Sequence, residues 1–422
     1  MKKHPTPVRP FRVDYTLPQS LRLALLYGRY CQHAYHRFQN PRHKIPTFSA
    51  IPIEIKSELH QLVSVIYQAT RTSIQSCPTF GHLLLSFFSP LPLVNVRHLK
   101  VREYEPGFLP RSDFQTQNPP AGGFVRFPRG SDHHTIQIGP AIYYDDDGHP
   151  VAYHLPSAIQ QHRLELLNLH IELSANRRRE SIDPATPFMS IDETCASPQG
   201  FLYTHDDLVN GCARLAPAHL IDEGRGLFSP SPVLLESRYR GMRLLDELSE
   251  TFAIIGAAIS VIHPPSFFAG LQALEQLSKP SKSVTPQYIV TDVLSLWTSP
   301  HSLFRIYNNY NSGVRREDVT PPLAFDTILS AGTSQINRFV CPNLGHEFYF
   351  HPGTLFIGMT RILYHGWTAA GYDPHIVAIA SFDEAVMKRT IPDDMHLFSR
   401  KWSPAEYSSL SPELGLDRDT DM

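Results

Sequence analysis

Twenty-two histidines are spread over the 422 residues, and imidazole is both the side chain that titrates near neutrality and the commonest metal ligand. Spacing has to select among them. His205-Asp206-Asp207 is a literal His-x-Asp, and Ile362-Leu363-Tyr364-His365-Gly366 puts one histidine at the expected end of an apolar strand. Two histidines and a carboxylate, drawn from one strand end and a later strand, make the facial triad that leaves adjacent positions on Fe(II) open. A lone histidine in an apolar strand is more ordinarily a satisfied core residue, and His205 falls outside the strand-rich part of the chain. The five cysteines, Cys31, Cys77, Cys195, Cys212 and Cys341, contain no CxxC pair, which excludes a zinc knuckle or a thioredoxin-type motif. No Walker A loop, Rossmann glycine motif, GxSxG or HExxH occurs. Asp145-Asp146-Asp147-Gly148 lacks the closing Glu of an EF-hand and reads as a turn.

The elements that must position such side chains belong to a proline-rich, charge-poor chain. Charged residues make up 18%, against about 25% in typical domains, so a wholly disordered chain and a solvated coiled coil are excluded. Thirty-seven prolines beside 23 glycines imply short elements joined by stiff turns. A net charge of -2 excludes a uniformly basic nucleic-acid binder. Residues 1–45 nevertheless carry nine Lys/Arg against Asp14, a basic arm that would track phosphates, and residues 401–422 form an acidic tail. Met1-Lys2-Lys3 leads into no apolar stretch, and the run Phe252 to Ile262 is shorter than the ~20 residues of a membrane span. The expectation is an intracellular protein, nuclear or cytoplasmic, with no membrane partner.

Residues 46–190 read as a mixed region. It contains a hairpin over His134 to Leu155, with strand-like Thr135–Ile138, Ala141–Tyr144 and Val151–Tyr153, and a helix from Pro156 toward Arg179. From Ser231 the apolar spacing turns helical, through Phe252, Leu271 and Val293. Beyond Trp297 come short strand-like runs: Leu303–Tyr307, Phe325–Leu329, Arg338–Val340, Phe348–Phe350, Thr354–Ile357, Ile362–His365 and Ile376–Phe382. Helices followed by about seven short strands predict an α+β fold, a double-stranded β-helix (jelly roll) backed by helices.

The segment from about His263 to Phe382 resembles the fungal branch of the 2-oxoglutarate/Fe(II) dioxygenases related to the TET and J-binding-protein nucleobase oxygenases. The resemblance rests on His263-Pro264-Pro265-Ser266-Phe267-Phe268-Ala269-Gly270, Trp297-Thr298-Ser299-Pro300, Tyr307-Asn308-Asn309, Phe325-Asp326-Thr327-Ile328-Leu329-Ser330-Ala331-Gly332, Pro342-Asn343-Leu344-Gly345, Pro352-Gly353-Thr354 and Leu363-Tyr364-His365-Gly366, in that order. It implies a dioxygenase-like domain over residues 191–400. The departures fall on the catalytic positions. Where the family carries Val/Leu-His-Arg-Asp, this chain has Val314-Arg315-Arg316-Glu317. The resemblance thus implies Glu317 and His365 as the remaining metal ligands and Arg315 at the position of a lost histidine ligand. A one-residue shift would instead use Asp318, with Arg316 in the histidine's place. His375 stands where the family has the arginine that holds the co-substrate carboxylate.

A guanidinium offers no lone pair and a permanent positive charge. Three functions are compatible with these residues. One is a dioxygenase-like protein with a lost or altered metal site that binds DNA or RNA, helped by the basic arm. Another is an active oxygenase of methylated bases using Fe(II) and 2-oxoglutarate, its site rebuilt from Glu317, His365 and His375. The third is a non-catalytic protein-interaction module with no cofactor.

Overall fold

The computed structural model describes residues 17–71, 73–75, 136–145, 149–174, 200–203, 209–222, 227–236, 238–279, 287–309, 312–317, 319–334, 337–341, 344, 346–369, 375–399 and 402. Its helices are α1 (Gln19–Gln39), α2 (Ile53–Arg71), α3 (Gln161–Ser174), α4 (Pro232–Glu236), α5 (Arg238–Glu247), α6 (Ser249–Ile262), α7 (Pro264–Ser278), α8 (Gln287–Leu294) and α9 (Glu384–Thr390). The early strands are β1 (Ser73–Gln75), β2 (Ile136–Gln137), β3 (Ala141–Tyr144), β4 (Pro150–Leu155), β5 (Gly200–Tyr203), β6 (Val209–Leu215), β7 (His219–Asp222) and β8 (Leu227–Ser229). The later ones are β9 (Leu303–Asn308), β10 (Ser312–Arg315), β11 (Asp326–Gly332), β12 (Asn337–Cys341), β13 (His346–Tyr349), β14 (Leu355–Gly358), β15 (His365–Ala369) and β16 (His375–Ser381).

Eight consecutive strands divide between two sheets in a nested pattern. β9 pairs with β16, β10 with β15, β11 with β14 and β12 with β13, each antiparallel. The larger sheet runs β1-β3-β4-β14-β11-β16-β9-β6-β5 and the smaller β10-β15-β12-β13-β2. Aromatic pairs cross between them: Phe339 with Phe356 (4.4 Å between ring centroids), Tyr143 with Phe348 (5.6 Å) and Tyr307 with Trp367 (5.5 Å). The outer face of the larger sheet lies under helices, where Phe252 of α6 stacks on Phe304 of β9 at 3.9 Å. Every residue of β9, β11 and β16 is buried, because both faces of these central strands are covered. That accounts for their nearly continuous apolar sequence. The apolar run before His263 is likewise a helix buried along Thr251–Ile262.

Several expectations change. Residues 19–39 of the basic stretch are not a solvated arm but helix α1, which buries Leu21, Leu25, Cys31, Tyr35 and even Arg29. Residues 1–16 lie outside the described residues. β3 and β4, from the region read as separate, pair as the expected hairpin and extend the larger sheet through β14. Ile136–Gln137 leaves that hairpin and pairs in parallel with β13 in the other sheet. The helix expected from Pro156 starts at Gln161, and its continuation toward Arg179 is outside the described residues. His365 begins a strand instead of ending one, since Ile362 and Leu363 donate to the Met359 carbonyl in a turn. β10 had no apolar run to announce it.

Candidate functional site

The inner face of β9 is set by alternation: Phe304 and Ile306 face the helices, so Arg305 and Tyr307 face the smaller sheet. β10 crosses there with Arg315 as its last residue, directly opposite His365 across the β10–β15 pair. Two residues on, Glu317 is anchored by its backbone N–H, which donates to the Thr360 carbonyl at 3.1 Å. These placements bring Arg305, Arg315, Glu317 and His365 to one point.

His365 is fully buried and its Nδ1 lies 3.1 Å from the Leu363 carbonyl. A carbonyl only accepts, so Nδ1 carries a proton, and Nε2 is the ring atom turned toward Glu317. That Nε2 faces Glu317 Oε1 at 3.6 Å, outside hydrogen-bond reach. The same Oε1 receives Arg315 Nη2 at 3.2 Å, and Arg315 Nη2 also donates to the Tyr307 hydroxyl at 3.1 Å. The other carboxylate oxygen, Oε2, is taken by Arg305 Nη1, while Arg305 Nη2 donates to Ser381 Oγ at 3.3 Å. Burial by itself would raise the Glu317 carboxyl; Arg305, then Arg315, outweigh it and hold the group well below the ordinary carboxylate range.

A second carboxylate lies close by. Asp326 opens β11 and is fully buried, accepting from Thr320 Oγ1 at 3.1 and 3.0 Å and from Thr360 Oγ1. Burial pushes its carboxyl up to about 7, against the opposing pull of the Thr360 hydroxyl and the Arg305 charge. Glu317 and Asp326 thus share a neighbourhood but shift in opposite directions, because Glu317 holds the two guanidiniums.

His365 Nε2 and Glu317 Oε1 are disposed as two ligands of one metal ion would be. The rest of the site does not fit Fe(II). A third lone pair is needed where Arg315 brings a cation, and both oxygens of Glu317 are engaged by guanidiniums that a dication would have to displace. Among the described residues, no group of three or more His, Cys, Asp or Glu side chains is arranged to hold a metal.

His375 lies on the strand beside β9. It is the first residue of β16, with its N–H donating to Asn309 Oδ1 at 3.0 Å and its carbonyl accepting from the Asn309 N–H at 2.8 Å. Val377, two residues on, is the partner of Tyr307 and Ile379 that of Arg305, so His375 lies about 7 Å of strand from the Tyr307 level and about 13 Å from the Arg305 level. Arg316 lies over the Tyr364 ring at 4.8 Å. Asp318, His205 and Asp206 lie outside the described residues.

No protein-family model matches the sequence, and no curated protein matches it. Among solved structures the chain is similar to NgTET1 in complex with 5mC DNA, with a TM-score of 0.37 and 10% identity over 61% of this chain and 84% of that chain. A likeness of this size defines neither family nor activity. No helix among the described residues is long and apolar enough to cross a membrane.

Sequence reasoning missed Arg305, Tyr307, Thr320, Asp326 and Thr360 as members of the cluster. Arg305 did leave a signal: a charged residue inside Leu303-Phe304-Arg305-Ile306-Tyr307 is buried at a cost that only a partner offsets. That partner, Glu317, is supplied by the fold and not by local spacing.

Proposed function

We propose that the chain is a dioxygenase-like jelly roll in which an Arg305–Glu317–Arg315 cluster stands at the metal position, and that it acts by binding nucleic acid and not by oxidation. The jelly-roll reading draws support from the nested antiparallel pairing of β9 to β16, which is the pairing of one long hairpin folded over itself into two sheets. The reading of the site rests on one observation: the Arg315 guanidinium lies 3.2 Å from the Glu317 oxygen that His365 faces. A fixed cation there supplies positive charge beside the carboxylate and offers no lone pair to a metal.

Anaerobic loading with Fe(II), followed by metal analysis and calorimetry with 2-oxoglutarate, tests this reading. Wild-type protein should retain well under one equivalent of iron. The double variant Arg315→His/His375→Arg should gain iron, and adding His365→Ala should remove that gain. One tightly held iron in wild type, lost on His365→Ala, would overturn the reading in favour of the active oxygenase. That second reading draws on the 3.6 Å convergence of His365 Nε2 and Glu317 Oε1.

A further inference from the structure

The C-terminal half of α1 carries His33 and His36 one turn apart, and the chain reverses at Asn40 to lay His43 back on them. His33 Nδ1 is 3.0 Å from His43 Nε2, the two rings stack at 5.3 Å and 12°, and the His36 ring lies 4.2 Å from that of His43. Phe48 closes the other side, 5.8 Å from the His33 ring and 5.4 Å from Tyr30. The reversal is tied down by the His43 N–H donating to the Asn40 carbonyl (2.9 Å) and by Arg37 Nη1 donating to the His43 carbonyl (2.7 Å).

We propose that His33, His36 and His43 form a proton-sensitive latch that pins residues 40–48 to α1 at neutral pH and releases them in mildly acidic solution. The His33–His43 contact needs one nitrogen to donate and the other to accept, so protonating both rings sets N–H against N–H. The charged groups acting on His33 are His43, Arg29 and His36, all of them basic. Acidic side chains on the helices packed against α1 are committed elsewhere or exposed. Glu58 of α2 binds Arg163, and Glu250 of α6 is shared by Arg163 and Tyr27. Glu275 of α7 is paired with Lys279, and Glu54 is exposed in the first turn of α2. The bases on α2, Lys56, His60 and Arg71, add no counter-charge.

Burial, then His43, Arg29 and His36, lower the His33 imidazole from 6.5 to about 4. A base depressed in the closed state binds its proton first in the open one, so closure is strongest above 6.5 and is lost as pH falls from 6.5 toward 4. Those two values give an opening equilibrium about 30-fold larger at pH 5.0 than at pH 7.5. The latch is independent of the metal position and would hold whether or not the sandwich is catalytic.

Amide hydrogen exchange on the full chain, corrected for intrinsic rates, reads this directly. Between pH 7.5 and 5.0 the opening equilibrium at His43 and Ile51 should rise by about 30-fold, while that of β11 amides shows no such rise. The neutral variant His33→Gln keeps a donor and an acceptor toward His43 and removes the buried ring that titrates, so it should lose the pH dependence. Unchanged protection of residues 40–51 in wild type, or an equal loss in His33→Gln, overturns the latch. Proton NMR titration supplies a second readout that needs no variant. A His33 ring titrating at about 4 supports the latch, and one titrating at its ordinary value refutes it.

Discussion

A buried carboxylate between two guanidiniums is held by charge, and its removal shows how much of the site is structure. Glu317→Gln takes from the buried Arg305 the carboxylate it is paired with, and breaking such a pair costs about 3–5 kcal/mol. Arg315→Met should cost less, because its side chain is 18% exposed and Arg305 still neutralises Glu317. Urea denaturation of the two variants should rank them in that order; the reverse order would mean that Arg315 and not Arg305 carries the pairing. Asp326 has the opposite sign. Its carboxyl is raised to about 7, so between the unfolded value near 4 and pH 7 the unfolded chain gives up a proton that the folded one keeps. Stability falls as pH rises through that window and levels off above it. Asp326→Asn removes the titration, so its stability relative to wild type should improve by a few kcal/mol from pH 4.5 to pH 7.5. Chemical denaturation at the two pH values checks this, and a constant difference would refute it.

The elements bearing these residues are kept in place by close contact between helix and sheet corner. α7 begins at Pro264-Pro265 behind an unusual cap, His263, whose Nδ1 accepts from the Ser266 N–H. It then runs so close to the Ser299-Pro300 corner that a Cβ at Gly270 would lie 2.2 Å from the Pro300 carbonyl oxygen. The same corner meets α6, where a Cβ at Gly256 would approach Pro300 Cδ at 2.4 Å. A backbone oxygen cannot rotate away, so Gly270→Ala should destabilise by about 1–3 kcal/mol. At Gly28 of α1 the obstacle is the tip of the Phe267 ring, at 2.4 Å, and a side chain can yield more easily than a backbone. Thermal unfolding should therefore place Gly28→Ala nearer wild type than Gly270→Ala.

For the molecule as a whole, the N-terminal helix belongs to the core and not to an appendage. Ser20 Oγ donates to the Leu294 carbonyl (2.5 Å), Gln32 Nε2 to the Ser260 carbonyl (3.0 Å) and the Tyr27 hydroxyl to Glu250 (3.2 Å), while Leu21, Ala24 and Ala34 are fully covered. Deleting residues 1–45 should abolish cooperative unfolding, so it cannot isolate a nucleic-acid contact. Deleting residues 1–16 removes Lys2, Lys3, Arg9 and Arg12 and leaves α1 intact. If the proposed binding runs through these residues, the slope of log affinity against log salt should fall by up to about 4 units on short duplex DNA. An unchanged slope would move the phosphate contacts to other residues or remove the proposal. Arg29 can take no part in such contacts: it is buried, 4.9 Å from the Phe268 ring.

The sequence by itself determined what periodicity and local chemistry encode. Apolar runs bounded by proline located α6, α7, β9, β11, β14 and β16, because burial on both faces requires nearly unbroken hydrophobicity. The family resemblance, and not periodicity, singled out Arg315, Glu317 and His365, which the fold does bring together. Only the tertiary structure decided which partner each charge meets. Arg305 reaches Glu317 because β9 and the end of β10 face one another across the sandwich, and no local spacing reports that distance. His375 stands on the strand beside β9, about 7 Å along it from the level of Tyr307 and about 13 Å from that of Arg305, a separation set by sheet register. The basic N-terminal stretch looked solvated because charge is visible in sequence and the surface that buries a helix is not. Burial of Arg29 and His33 depends on α6, α7 and Phe48 closing around them, and those contacts exist only once the chain has folded.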